Sequence, residues 1–207
     1  IVTGWSENMT AEQEADITAA IHKAAAVVIG PGLGQEAGAE RLLDLVLQEA
    51  KKLPELPVVI DADGLNLLAK KGLYSTLGRQ YVPHLREMSR LSGKSVQEIA
   101  DDMTSAVMGQ QVGATIVLKD ARTLVSDGDW LYINLSGNSA LSTGGSGDVL
   151  SGMIGGLLAQ GCTQRTAATL AVYMHGLTAE QYCESAPPHC MLARDILEMI
   201  PKIGGNS

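Results

Sequence analysis

The sequence predicts an α/β fold: a mostly parallel central sheet covered by helices on both faces, with a small antiparallel portion. Three observations predict it. Short continuous apolar runs alternate with helical periodicity through the first half, three closely connected strands follow over 114–134, and only helical spacing remains after them. With 207 residues, 45% of them apolar, the chain can bury one full hydrophobic core. Residues 1–207 therefore read as one domain.

A first helix is expected over 10–23, with Thr10 as its cap and Glu12 and Gln13 in its first turn. Residues 26–30 form an unbroken apolar run closed by Pro31-Gly32, the pattern of a buried parallel strand. A helix with Leu42, Leu43, Val46 and Leu47 on one face follows. Residues 57–61 repeat the buried-strand pattern, and Leu65, Leu67 and Leu68 open another helix. A short third strand is expected over 81–83, then a helix capped by Ser95 with the stripe Val96, Ile99, Ala100, Met103 and Val107. Strands over 114–119, 123–126 and 130–134 come next, the last two joined by the hairpin signal Asp127-Gly128-Asp129. Helices over 147–160, 163–184 and 191–200 complete the chain.

The most informative stretch is Thr143-Gly144-Gly145-Ser146-Gly147-Asp148-Val149-Leu150-Ser151-Gly152. Its glycines let successive N–H groups turn inward around a small anion, and the apolar spacing beyond Asp148 makes them open a helix. A helix N-terminus carries about half a positive charge and unsatisfied donors, which suits phosphate. Asp148 then stands beside a phosphate site as a proton acceptor, the arrangement needed to move a phosphoryl group onto a hydroxyl. A glycine-rich turn before a core helix is the plain alternative. The spacing is neither a Walker A loop nor a dinucleotide fingerprint.

Right-handed crossovers bring the C-terminal ends of parallel strands to one edge. At that edge the chain carries Gly30-Pro31-Gly32-Leu33-Gly34, Asp61-Ala62-Asp63-Gly64-Leu65-Asn66, His84 and Lys119. Each has a plain reading, Asp63 as a helix cap, His84 as a loop histidine, Lys119 as a solvated strand end. Their shared location favours a ligand site.

Composition narrows the partners. A net charge of −8 with no basic run argues against nucleic acid and anionic membranes, and no apolar run reaches the ~18 residues of a membrane span. With no leader pattern the cytoplasm is the default location. Cys162, Cys183 and Cys190 form no Cys-x-x-Cys pair, and His189-Cys190 has no second pair to complete a zinc site, so no protein-held metal is expected. Phe is absent and aromatics are 3%, which leaves no base-stacking platform. The opening Ile1-Val2-Thr3-Gly4 lacks an initiator Met and reads like a strand already under way, as if an N-terminal portion were missing.

The chain resembles the C-terminal catalytic domain of the NAD(P)H-hydrate dehydratase family, a branch of the ribokinase-like fold. The likeness rests on residues 28–34 and 61–66, on Pro83-His84 with Glu87-Met88 and Leu91, on Val117-Leu118-Lys119, and most specifically on residues 143–152. It implies that hydrated NADH and NADPH (NADHX and NADPHX) are dehydrated at the expense of ADP or ATP, with Mg2+ bridging the phosphates. Gly32, Gly34, Asp61, Asn66 and His84 would then bind substrate. Lys119, Asp120, Ala121, Arg122 and Thr123 would contact the nucleotide, together with Asn138, Gly144, Gly145, Ser146 and Gly147. Asp148 would meet the substrate hydroxyl as the catalytic base. Phosphorylation converts a poor leaving group into phosphate, whose elimination restores the dihydropyridine. The resemblance also implies a homo-oligomer, commonly a tetramer. This chain departs from the family with Leu85-Arg86 after His84, Ser139-Ala140-Leu141 before the glycine loop, and Leu177-Thr178-Ala179-Glu180 after His175-Gly176. A kinase for a small vitamin-type alcohol and a non-catalytic nucleotide-binding module remain the alternatives.

Overall fold

The computed structural model describes residues 9–72, 80–104 and 114–203. Six strands form one sheet in chain order: β1 (Val27–Ile29), β2 (Val58–Ile60), β3 (Gln80–Tyr81), β4 (Thr115–Leu118), β5 (Leu124–Ser126) and β6 (Leu131–Ile133). The first four run parallel, and β5 and β6 add an antiparallel hairpin at one edge. Ile29 pairs with Ile60 and Ile60 with Tyr81, so the strand ends lie level.

Helices α1 (Ala11–Lys23), α2 (Ala37–Lys52), α3 (Ala62–Lys71), α4 (Leu85–Ser92) and α5 (Val96–Asp101) lie before and between the parallel strands. Because each crossover joins neighbouring strands with the same hand, α2 to α5 fall on one face. The other face is covered by α6 (Ser146–Ala159) and α7 (Gln164–Cys183). Strand alternation feeds both layers. Val58, Ile60, Tyr81, Ile116 and Leu118 pack into the α1–α5 side, while Val59, Val82, Val117 and Val125 pack toward α6 and α7. A third small core of Ala140, Ala179, Met191 and Ile196 ties a 3-10 turn at Ser139–Leu141 to α7 and to α8 (Ala193–Met199).

Local chemistry sets the boundaries. Thr10 with Gln13 and Ser95 with Glu98 form capping boxes at α1 and α5. The expected hairpin forms, with Gly128 N donating to Ser126 Oγ at 3.0 Å. Helix α4 is absent from the sequence expectation: it is capped by His84, whose Nδ1 accepts from Arg86 N and Glu87 N. The helix expected over 191–200 forms over Ala193–Met199 alone, flanked by 3-10 turns at Pro188–Cys190 and Ile200–Lys202. Val107 and the opening residues 1–4 lie outside the described residues. Among the described residues no helix is long and apolar enough to cross a membrane.

Candidate functional site

The level ends of β1 to β4 bring Gly30, Asp61, His84 and Lys119 to one edge, as the sequence anticipates. Close packing there demands glycine at position 30: its φ is +121°, and a Cβ would lie 1.8 Å from Asp61 O. Lys119 is fixed to the edge by its backbone, which donates to Pro83 O at 2.8 Å and bridges to His84.

Asp61 caps α3 and is only 1% exposed. Its Oδ1 accepts from Ala62 N at 2.7 Å and from Lys119 Nζ at 2.6 Å. Its Oδ2 accepts from Ser151 Oγ at 2.6 Å. Ala62 holds φ +48°, the one positive value of a non-glycine among the described residues. Asp63, whose plain reading is a helix cap, instead accepts from Gly34 N at 3.0 Å and from Gln35 Nε2 at 2.9 Å, tying the loop after β1 to α3.

The glycine loop enters α6 through Gly145, at φ +86°. A Cβ on Gly147 would stand 3.4 Å from Lys119 Nζ and 4.0 Å from Asp61 Oδ2, so the ammonium lies against the first turn of the helix. On the far side, buried His175 of α7 places Nε2 3.1 Å from Ser146 O and 3.2 Å from Ser146 Oγ. The carbonyl can only accept, so Nε2 carries the ring proton. Burial pushes the His175 pKa down to about 4, against the Ser146 carbonyl, with the charge of Lys119 lowering it further. Desolvation also lowers the His84 pKa, opposed by the Glu87 carboxylate. Because His84 Nδ1 accepts two backbone N–H groups, its proton sits on Nε2, 3.3 Å from Glu87 Oε1. Glu87 Oε2 is itself 4.0 Å from Lys119 Nζ.

These groups border a cavity of about 680 Å³. Of the expected nucleotide residues, Lys119, Asp120, Ala121, Thr123, Asn138, Ser146 and Gly147 line it, and His84 joins them. Arg122, Gly144 and Gly145 are exposed beside it, and Asp148 is exposed in the first turn of α6, outside the lining. Gly32, Gly34 and Asn66 also lie outside the lining; Asn66 Oδ1 accepts from Arg90 Nη1 at 2.7 Å. Asp61 is also outside the lining: buried, it forms a floor under Lys119, to which it is bonded, rather than part of the wall. Asn138 Oδ1 is occupied, capping the 3-10 turn through Ala140 N at 2.9 Å. Ser151 and His175 enter the site without having been expected there. Ser151 falls four residues after Gly147, a spacing that marks a shared helix face, whereas nothing in the local sequence turns His175 toward the loop.

Comparison with known proteins gives the family. Residues 2–202 match the family described as NAD(P)H-hydrate dehydratase. The chain is 40% identical over 194 residues to the ADP-dependent (S)-NAD(P)H-hydrate dehydratase of Neisseria meningitidis serogroup B, covering 90% of this chain and 64% of that protein. The crystal structure of the ADP/ATP-dependent NAD(P)H-hydrate dehydratase from Bacillus subtilis, co-crystallised with ATP and Mg2+, superposes with a TM-score of 0.75 at 30% identity. That match covers 86% of this chain and 63% of the Bacillus chain. A ribokinase-like superfamily protein from Enterococcus faecalis V583 superposes at TM-score 0.81 and 29% identity, over 93% of this chain and 66% of its own. The chain thus spans less than two thirds of the Neisseria and Bacillus proteins, and its fold is ribokinase-like. Over the part it spans, the chain belongs to the NAD(P)H-hydrate dehydratase family.

Proposed function

We propose that this chain carries the nucleotide-handling part of an enzyme that dehydrates NADHX and NADPHX at the expense of ADP or ATP. One observation carries the reading. The cavity is lined by Lys119 and the Ser146–Gly147 start of α6, which lie against each other, and by Asp120, Ala121 and Thr123 of the segment after β4. That is room for an adenine nucleotide with its terminal phosphoryl at the helix start.

In this reading the N–H groups of Gly144, Gly145 and Gly147 hold the charge that builds on the transferring phosphoryl, while Ser146 N donates to Thr143 O at 3.3 Å and keeps the loop turned. Lys119 meets the same group from β4. Asp148, exposed on the first turn of α6, accepts the proton of the substrate hydroxyl as that oxygen attacks phosphorus and the bond to the nucleotide breaks. The ring nitrogen lone pair then helps expel inorganic phosphate and a ring proton leaves, restoring the dihydropyridine. Gly32, Gly34, Asn66 and His84 would face the nicotinamide side. Among the described residues no three His, Cys, Asp or Glu side chains are placed to share a metal ion, and the Asp61 and Glu87 carboxylates are engaged by protein donors. The residues therefore form no cage for Mg2+, and we take the ion to arrive on the nucleotide, held by phosphate and water. The enzyme would act in the cytoplasm as a homotetramer on small molecules. The exposed side chains Ile133, Leu135, Leu170 and Tyr173 support association, which light scattering would check.

The full-length protein incubated with hydrated NADH and ADP or ATP should regain the reduced-nicotinamide absorbance, with one phosphate released per ring restored. A flat trace with a phosphorylated alcohol accumulating would make it a kinase instead.

A further inference from the structure

Asp61 stands at the expected substrate edge, yet it is 1% exposed and its two oxygens accept from Ala62 N, Lys119 Nζ and Ser151 Oγ. A carboxylate so enclosed has no free face for a substrate. Burying a charge is costly unless it is paired and fully hydrogen-bonded, so the pairing itself needs a reason. The backbone adds to it. Ala62 keeps φ +48°, a conformation that costs a non-glycine residue energy and persists only where its surroundings fix it. Ala62 N also donates back to Asp61 Oδ1 at 2.7 Å.

The partner of this carboxylate is the informative part. A lysine ammonium rides on a flexible stem and, unheld, samples many positions. Here Lys119 has a side chain 19% exposed, lines the cavity, and lies 3.4 Å from the place a Cβ would occupy on Gly147. Ser151, itself fully buried on α6, fixes the second oxygen of Asp61 from the same helix whose N-terminus faces the cavity. The sheet edge, the helix start and the cation are thus locked to one another through a single carboxylate.

We propose that Asp61 is a positioning residue that, together with Ser151, holds the Lys119 ammonium against Gly147, where the terminal phosphoryl group of the nucleotide meets α6. This rests on the function proposed above. Asp61 touches neither substrate nor nucleotide and acts through Lys119. A cation fixed in advance stabilises the charge of phosphoryl transfer without reorganising, so its placement counts in kcat more than in nucleotide binding.

A double-mutant cycle on the full-length protein tests this. Misplacing a group by about 1 Å can cost on the order of 10²-fold, so Asp61→Asn should lower kcat by roughly 10- to 100-fold while the nucleotide KM moves by less than about threefold. Lys119→Met should cost at least as much. If Asp61 works through Lys119, Asp61→Asn adds nothing to Lys119→Met, and the double variant equals the single one. Multiplying effects would overturn the proposal. Should Asp61→Asn not fold, Ser151→Ala takes its place in the same cycle under the same rule. A wild-type protein that binds ADP by calorimetry but restores no reduced nicotinamide overturns the proposed function alone. Crystals of the wild type and of Asp61→Asn with ADP then decide: Lys119 Nζ displaced from Gly147 supports the proposal, and an unmoved ammonium overturns it.

Discussion

His175 ties stability to pH through one buried ring. Its side chain is 7% exposed, Nε2 donates to Ser146 O at 3.1 Å, and its pKa is pushed down to about 4 by burial first, with Lys119 also opposing a second positive charge. In the unfolded chain the same ring titrates near its ordinary value of about 6.5. Above that value the ring is neutral in both states and contributes no pH dependence. As the pH falls below about 6.5 the unfolded state takes up a proton that the folded state refuses, so stability is lost down to about pH 4, where the folded ring also protonates. The full loss is about 3 kcal/mol, of which about 2 kcal/mol has gone by pH 5. In a chain of this size that is a fall in Tm of roughly 4–8 °C. Carboxylates titrate in the same range, so the assay is a comparison: urea unfolding of the wild type and of His175→Gln, whose amide can donate in place of Nε2 and cannot protonate, at pH 7 and pH 5. The variant should be about 1 kcal/mol less stable at pH 7, and the difference should shift by about 2 kcal/mol in its favour at pH 5, reversing sign. Parallel losses in both proteins would refute the argument that His175 is held neutral.

Asp148→Asn should lower the rate of reduced-nicotinamide recovery by about 10²–10⁴-fold while ADP affinity by calorimetry stays near wild type; unchanged turnover removes Asp148 from the chemistry. Gly147→Ala should leave stability within about 1 kcal/mol, because its backbone is helical, yet weaken ADP by roughly tenfold, since a phosphoryl group at the helix start would meet the added methyl. Gly30→Ala is the converse, a stability lesion: a Cβ 1.8 Å from Asp61 O, at φ +121°, should cost at least about 3 kcal/mol in urea unfolding.

What the sequence discloses follows from which contacts are local. β2 and β4 are buried along their whole length, so their apolar runs need no partner to be read, and Thr10 and Ser95 announce their helices through capping boxes four residues long. Helix α4 hides because it has eight residues, buries only Glu87 and Met88, and is capped by an imidazole. The convergence of His84 and Lys119 is legible because parallel strands share an edge. The direction of Asp61 is not, since a strand's alternation fixes a face and leaves the rotamer open, and a left-handed Ala62 cannot be foreseen from alanine. Ser151 to Asp61 and Ser146 to His175 join residues 90 and 29 apart, contacts that exist only once α6 and α7 have packed on the sheet.

The charges in the floor decide which group does what. Lys119 lies between two buried carboxylates, Asp61 at 2.6 Å and Glu87 at 4.0 Å, in a chain whose net charge is −8. Its charge is therefore largely compensated before any nucleotide arrives, and salt screens the rest of the surface beyond about 8 Å. Net attraction for phosphate has to come from elsewhere: from the N–H groups that open α6 and from the divalent cation the nucleotide brings. The ammonium is left with a directional task, presenting its remaining N–H groups to the phosphoryl as charge builds there. This division is why Gly147→Ala should act on affinity, whereas loosening Lys119 through Asp61 should act on kcat. If both changes weakened ADP equally and left kcat alone, the compensated cation would be doing no more than the amides, and the floor would be structural.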